Sequence, residues 1–388
     1  MEPFRSDVPQ AAIEDLHARL RETRWPHPTP GQGWERGIPV DHVRELADSW
    51  LHDFDWRVVE ARLNRYPQFV TEIDGARIHL LHARSPEPDA VPLILTHGWP
   101  GSVLEFLDVI GPLTDPRAHG RDGAQAFHVV IPSLPGFGFS GPVDEPGWGV
   151  PRIAAAWATL MEQLGYDSYF AHGGDLGVWI SLTLAAMVPE RVLGVSVNFL
   201  LTPPSDPSDL AGLGAEDLQR LQTMGDWVAQ RSGYMWIQGT APQTLAYGLT
   251  DSPVGQLAWL AEKYDEWSDS SVADSVSREQ LLGIVSLYWF TGTAGSAAQI
   301  YFEMRDELPI AATPPAPRPP LPVPLGVSVF RHDASLPVRS LAERAYPGIR
   351  QWREHDNGGH FSSMERPEEF VEDLSDFAAT VLGEEAAA

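Results

Sequence analysis

Along the first seventy residues the apolar positions recur at helical spacing. VPQAAIEDLHARLRET brings Val8, Ile13, Leu16 and Leu20 to one face, and VDHVRELADSWLHDF and DWRVVEARLNRY repeat the amphipathic habit, so short helices are predicted over 1–68. At residue 69 the period shortens to two. FVTEIDGARIHLLHA reads as two strands joined at Asp74-Gly75, a pair suited to a tight hairpin in which both central residues take positive φ. Continuous apolar runs follow at VPLILTHG, FHVVIPSLPG, SYFAHGG and VLGVSVNFL. They are interleaved with the helical patterns IAAAWATLMEQLG and LGVWISLTLAAMV, the second stopped by Pro189. Strands that are apolar on both faces and separated by helices predict a mainly parallel sheet covered on both sides.

Residues 201–308 break this rhythm with helix-like segments rich in Trp and Tyr, which read as an inserted helical lid. The stretch PIAATPPAPRPPLPVP, 309–324, is expected to be an extended connector, because its prolines lack amide donors and exclude helix. The sheet pattern resumes with LGVSVF and GIRQWREH, and PEEFVEDLSDFAATVLG reads as a last helix. The predicted organisation is an α/β fold with an N-terminal helical extension over 1–68, a core from 69–200 and 322–388, and a lid with its connector over 201–321. No internal repeat is evident.

Composition narrows the chemistry. The 388 residues are 43% hydrophobic and include 14 Trp, enough for a large core. A formal net charge of -26 argues against nucleic acid and anionic membrane surfaces as partners. There is no Cys, which excludes disulfides, thiolate metal sites and a thiol nucleophile from this chain. Without a basic-then-apolar leader or a run of eighteen apolar residues, the reading is of a soluble, cytoplasmic protein. The only Lys, Lys263, stands against 26 Arg. No metal or cofactor is called for, and homo-oligomerisation is left open.

Ligands of an open parallel sheet sit beyond the carboxyl ends of its strands. There Gly173-Gly174-Asp175-Leu176-Gly177 follows an apolar run and opens a helix, the shape of a sharp strand-to-helix turn that displays a nucleophile, with Asp175 at its apex. The competing structural reading makes Asp175 a helix N-cap. A second strand end, LTHGWPGS, supplies the Trp99 amide, which with the Leu176 amide would form an oxyanion hole. His97 beside it reads as a residue that holds the loop in preference to a base. Further on, Asp333 follows LGVSVF and His360 follows the last strand. His332, Glu303 and Asp306 are rivals to Asp333, and His355 is a rival to His360. Nucleophile, acid, histidine is the chain order of the α/β-hydrolases.

With those motifs in place, the sequence resembles the epoxide hydrolases of the α/β-hydrolase superfamily, in the microsomal-type branch with an N-terminal helical extension. FDWRVVEARLNRYPQF, HGWPGS, IPSLPGFGFS, GGDLG, SGYMWIQ, LTDSPVGQLAW, YWFTGT and GGHF carry the likeness, in order, over nearly the whole chain. The resemblance implies an α/β-hydrolase fold and a soluble member lacking the vertebrate enzyme's membrane anchor. It puts Asp333 where that enzyme has a glutamate. It also implies two lid tyrosines. Tyr234, Tyr247, Tyr264, Tyr288 and Tyr301 all lie in the inserted segment, and the matches of SGYMWIQ and AAQIYFE select Tyr234 and Tyr301 as donors to the epoxide oxygen. Trp99 would line the substrate site as well.

The implied reaction is hydrolysis of an epoxide to a vicinal diol. Asp175 attacks a ring carbon, and His360, oriented by Asp333, then takes a proton from the water that cleaves the resulting ester. A serine in that place would become an ether with no carbonyl for water to attack; an aspartate becomes an ester and is regenerated. A haloalkane dehalogenase shares the same three groups but needs a halide donor, commonly an indole directly after the nucleophile, and the Leu176 side chain donates nothing. A non-catalytic binding protein on this fold has lost its nucleophile or histidine, and both are here. The partners implied are a small apolar or aromatic epoxide and water. The Arg-rich composition associates the chain with high-GC bacteria, whose relatives include enzymes of antibiotic, such as enediyne, biosynthesis.

Overall fold

Alternation along the central strands decides the layering. In the computed structural model, which describes residues 1–31, 33–273, 275–308 and 321–387, Leu93, Leu95, Val129, Ile131 and Phe170 face one apolar layer. Their neighbours Ile94, Val130, Tyr169 and Ala171 face the other. Side chains of adjacent strand residues point to opposite faces, so strands apolar at every position must be covered twice.

The strands among the described residues are β1 (Glu2–Phe4), β2 (Gln68–Ile73), β3 (Ala76–Ala83), β4 (Val91–Thr96), β5 (Phe127–Pro132), β6 (Tyr169–Gly173), β7 (Val192–Val197), β8 (Leu325–Phe330) and β9 (Ile349–His355). They form one sheet in the order β1-β2-β3-β5-β4-β6-β7-β8-β9. The first three pairings are antiparallel and the remainder parallel. This is the α/β-hydrolase fold. The β2–β3 turn is built as its sequence predicts, with Asp74 at φ 51° and Gly75 at φ 77°. β1 is an addition: three residues are too few to show a period, and it joins the sheet edge through Glu2↔Val70 and Phe4↔Gln68.

Behind the sheet, helix Leu176–Met187 is apolar on all sides and packs on β4, β6, β7 and helix Val150–Gln163. A helix buried over most of its surface, exposed here only at Ala186 and Met187, carries no amphipathic stripe. Helices among the described residues of the inserted segment include Ala215–Arg231, Gly233–Thr240, Pro253–Trp267, Arg278–Thr291 and Ala294–Glu303. Arg278–Thr291 shows how its ends are set: Ser277 and Gln280 make a reciprocal capping box, and Gly292 terminates the helix at φ 64°. Of the expected connector, residues 309–320 lie outside the described residues. No single helix among the described residues is long and apolar enough to cross a membrane.

The contact of helix Leu176–Met187 with the sheet depends on glycine. A Cβ at Gly177 would lie 2.1 Å from the Thr96 carbonyl oxygen, and one at Gly173 would lie 2.0 Å from the Gly177 carbonyl oxygen. Both obstacles are backbone and cannot rotate away. Gly177→Ala is therefore expected to lower the unfolding free energy by about 1–3 kcal/mol, the usual cost of overpacking, in denaturant titration; an unchanged midpoint would show that the helix can retreat freely.

Candidate active site

The turn between β6 and helix Leu176–Met187 holds Asp175 at φ 50° and ψ -126°, one of two non-glycine residues with positive φ among the described residues. Its side chain makes no capping hydrogen bond to the helix. The N-cap reading fails for that reason: the carboxylate points away from the helix amides and across to the neighbouring strand end. There the Trp99 amide donates to Asp175 Oδ1 at 2.9 Å. Gly98 makes room, since a Cβ on it would stand 2.2 Å from that oxygen. The Leu176 amide, first in its helix, has no partner among the described residues, as is usual for a helix N-terminus. Of the two amides expected at an oxyanion hole, that of Trp99 thus reaches the carboxylate and that of Leu176 follows Asp175 in the chain.

His360 lies 3.3 Å from Asp175 Oδ2 through Nε2, close but off the axis of a hydrogen bond. Its Nδ1 is 2.8 Å from Asp333 Oδ1, which also accepts from the Ala334 amide at 2.6 Å. The imidazole is held from behind as well. The His360 amide donates to the Trp267 carbonyl at 2.9 Å, and Asn198 Nδ2 donates to the His360 carbonyl at 3.2 Å. Burial alone would strip the proton from His360, but Asp333 and Asp175 together hold its pKa well above the ordinary histidine value. Burial pushes the Asp333 carboxyl up, with the His360 charge pulling it back.

The rivals fall away on geometry. His97 donates from Nδ1 to the Gly98 carbonyl at 2.9 Å and accepts from the Leu134 amide at 3.2 Å, so both ring nitrogens are occupied in holding the loop. Burial lowers its pKa to about 4, which keeps it neutral. His332 sits 3.5 Å from Asp269, and His355 is 2.7 Å from Asp373. Among the tyrosines, Tyr247 is 73% exposed. Tyr264 and Tyr288 donate to the Pro100 and Gly101 carbonyls at 3.3 and 2.8 Å and brace the loop.

Tyr234 and Tyr301 remain, and they line one buried cavity with Asp175, Leu176 and His360. The Tyr234 ring stacks on Trp99 at 5.1 Å and 12°, while the Tyr301 ring meets Trp99 edge-on at 5.7 Å. Burial raises both phenols well above their ordinary value, helped by the Asp175 charge at Tyr234 and by Tyr234 and then Asp175 at Tyr301, so both keep their protons. Trp179, Phe199, Trp227, Met235 and Trp267 complete the wall. None of these was singled out from sequence, because an apolar side chain facing a cavity has the same pattern as one facing the core.

A second, more polar cavity shares Asp175 and His360 with the first and is lined also by Glu105, His172, Asn198 and Ser362. Four buried atoms there have no hydrogen-bond partner among the described residues: His172 Nδ1, Asn198 Oδ1, Ser362 Oγ and His360 Nε2. Burial raises the Glu105 carboxyl to about 8, so it adds no second anion beside Asp175 at neutral pH. Among the described residues no cluster of His, Asp and Glu is arranged to hold a metal ion.

Comparison with known proteins fits this geometry. Residues 1–106 match the family model described as epoxide hydrolase N terminus, and residues 93–373 match that of the alpha/beta hydrolase family. The chain is 42% identical to a protein of Stigmatella aurantiaca named "Putative epoxide hydrolase", over 96% of this chain and 83% of that one. It is 31% identical to epoxide hydrolase 1 of Sus scrofa, over 97% and 88%. The structure of Aspergillus niger epoxide hydrolase superposes with a TM-score of 0.85 at 32% identity, covering 98% of this chain and 96% of that one. For juvenile hormone epoxide hydrolase from Bombyx mori the TM-score is 0.88 at 28% identity, over 99% and 95%.

The His355–Asp373 pair gives a pH signature separate from the site. The hydrogen bond to Asp373 raises His355, and against the upward pull of burial the bond from His355 helps to lower Asp373. A raised histidine stabilises the fold below its unfolded pKa and loses that contribution as pH rises through the folded value; a lowered aspartate does so above its unfolded pKa and loses it as pH falls. The pair therefore contributes most between the two unfolded values, about pH 4 to 6.5. His355→Gln should lose more unfolding stability at about pH 5.5 than at about pH 9, and equal losses would leave the pair with a packing role only.

Proposed function

The chain belongs to the epoxide hydrolases of the α/β-hydrolase superfamily, and from that premise we propose that Asp175 opens the epoxide as nucleophile and is regenerated by water that His360 activates. The observation that carries the proposal is the chain of contacts Asp333–His360–Asp175, at 2.8 and 3.3 Å, ending on a carboxylate that leaves its own helix uncapped. The Trp99 amide occupies Oδ1, so Oδ2 is the oxygen free to attack a ring carbon. Tyr234 and Tyr301 donate to the ring oxygen as it becomes an alkoxide. The aromatic wall of Trp179, Trp267 and Phe199 fits an apolar or aromatic epoxide.

Ring opening changes the electrostatics of its own site. Before reaction two carboxylates hold a proton on His360. Once Asp175 is an ester, one of those anions is gone, and His360 gives up its proton. That proton balances the one the lid tyrosines deliver to the alkoxide, and neutral Nε2 can then act as base. Water bound among Asn198, Ser362 and His172 in the polar cavity is placed to be deprotonated and to attack the ester carbonyl. The oxyanion grows on Oδ1, where the Trp99 amide already sits and the Leu176 amide is free; a donor in such a place is typically worth about 10² to 10³ in rate.

Single turnover in ¹⁸O-water on an aromatic epoxide tests the covalent route. The first diol should carry ordinary oxygen and Asp175 should acquire the label; label in the first diol would mean direct attack by water. Asp175→Ala should abolish turnover. The proton balance has its own test in the imidazole NMR titration of His360: its pKa should fall in Asp175→Ala relative to the parent protein, and an unchanged value would assign the proton to Asp333 alone.

A further inference from the structure

Among 27 cationic side chains the single lysine is set deep in the protein. Lys263, on helix Pro253–Trp267, is 4% exposed, and its ammonium lies 5.0 Å from the centre of the Tyr234 ring and 5.6 Å from that of Trp267. Nζ also contacts Glu262 at 3.0 Å and Glu266 at 2.8 Å. Neutralising those carboxylates does not account for the placement. Both are partly exposed, and Glu266 has Arg231 at 3.4 Å as well. Taking a strongly hydrated ammonium out of water is costly. A compact point charge is what fits against two ring faces and two carboxylates at once; the planar fork of arginine is broader and its charge more diffuse.

Resting on the assignment of Tyr234 as a donor to the epoxide oxygen, we propose that Lys263 is a positioning residue for ring opening: its ammonium over the Tyr234 ring holds that ring in place and draws electron density from the phenol, making the hydroxyl a stronger donor. The attraction between a cation and a ring face is largest when desolvated, as here. Burial and the Asp175 charge work against Tyr234 as an acid, and Lys263 offsets them. Among the described residues no cation is recorded over the Tyr301 ring, so the two tyrosines are unequal, with Tyr234 the stronger donor.

The two half-reactions separate this role from a structural one. Rapid-quench single turnover of styrene oxide reads ester formation and ester decay independently. Lys263→Met should slow ester formation about tenfold and leave ester decay unchanged, with Lys263→Arg recovering part of the loss. In a Tyr234→Phe background the effect of Lys263→Met should vanish, and in a Tyr301→Phe background it should persist. Equal slowing of both steps, or a full effect in Tyr234→Phe, would overturn the proposal and leave Lys263 a lid-packing residue. Should Lys263→Met fail to fold, Lys263→Met with Glu262→Gln keeps the local charge balanced and answers the same question. No ester in the parent protein would instead refute the role of Asp175.

Discussion

Asp175 adopts a backbone conformation that costs a residue with a Cβ on the order of 1–3 kcal/mol, and the surrounding chain is shaped to hold it there. Gly173 and Gly177 let the turn close with carbonyl oxygens where side chains would otherwise stand, and Gly98 lets the neighbouring loop reach the carboxylate. The register of β4 against β6, with Thr96 beside Gly173, brings the two loops level. The Asp175 carboxylate and the Trp99 amide are therefore positioned by the hydrogen-bonded sheet and by missing methyl groups, with little left to side-chain torsion. Sites set on rigid elements in this way hold their geometry when the charges within them change.

Charge is the second constraint. The His360 and Asp333 side chains are buried, and a buried site cannot hold unpaired ions. Glu105 responds by staying protonated, while Asp175 and Asp333 flank one cationic imidazole. The result is a row of groups in which the loss of one charge shifts the proton affinity of the next. The lid supplies the other polarity, phenols that burial keeps protonated beside the Asp175 carboxylate.

Much of this was legible in the sequence because the relevant signals are local. The helix-to-strand change of period, the Asp-Gly turn and the glycine-flanked aspartate each occupy a few consecutive residues. β1 was not legible, since three residues carry no period. The choice of Asp333 over its neighbours, and of Tyr234 and Tyr301 over three other tyrosines, required either the family resemblance or the fold: each depends on contacts across tens to hundreds of residues. Asn198 and Glu105 gave no signal, and Lys263 stood out only as the single lysine among 26 arginines. An asparagine after a strand, a capping glutamate and a lysine on an amphipathic helix all have ordinary structural readings, and only their convergence on the Asp175–His360 pair or on Tyr234 sets them apart.

The tyrosines that take no part in the chemistry have a mechanical consequence. Tyr264 and Tyr288 tie two lid helices to the carbonyls of Pro100 and Gly101, in the loop that carries the Trp99 amide. A lid swinging as one body would drag that amide off the carboxylate. If the Trp99 amide holds the oxyanion as proposed, substrate admission and oxyanion stabilisation are geared together: slack in the lid would register as a weaker grip on the carboxylate, and tight hydrolysis would set a limit on how wide the door can open.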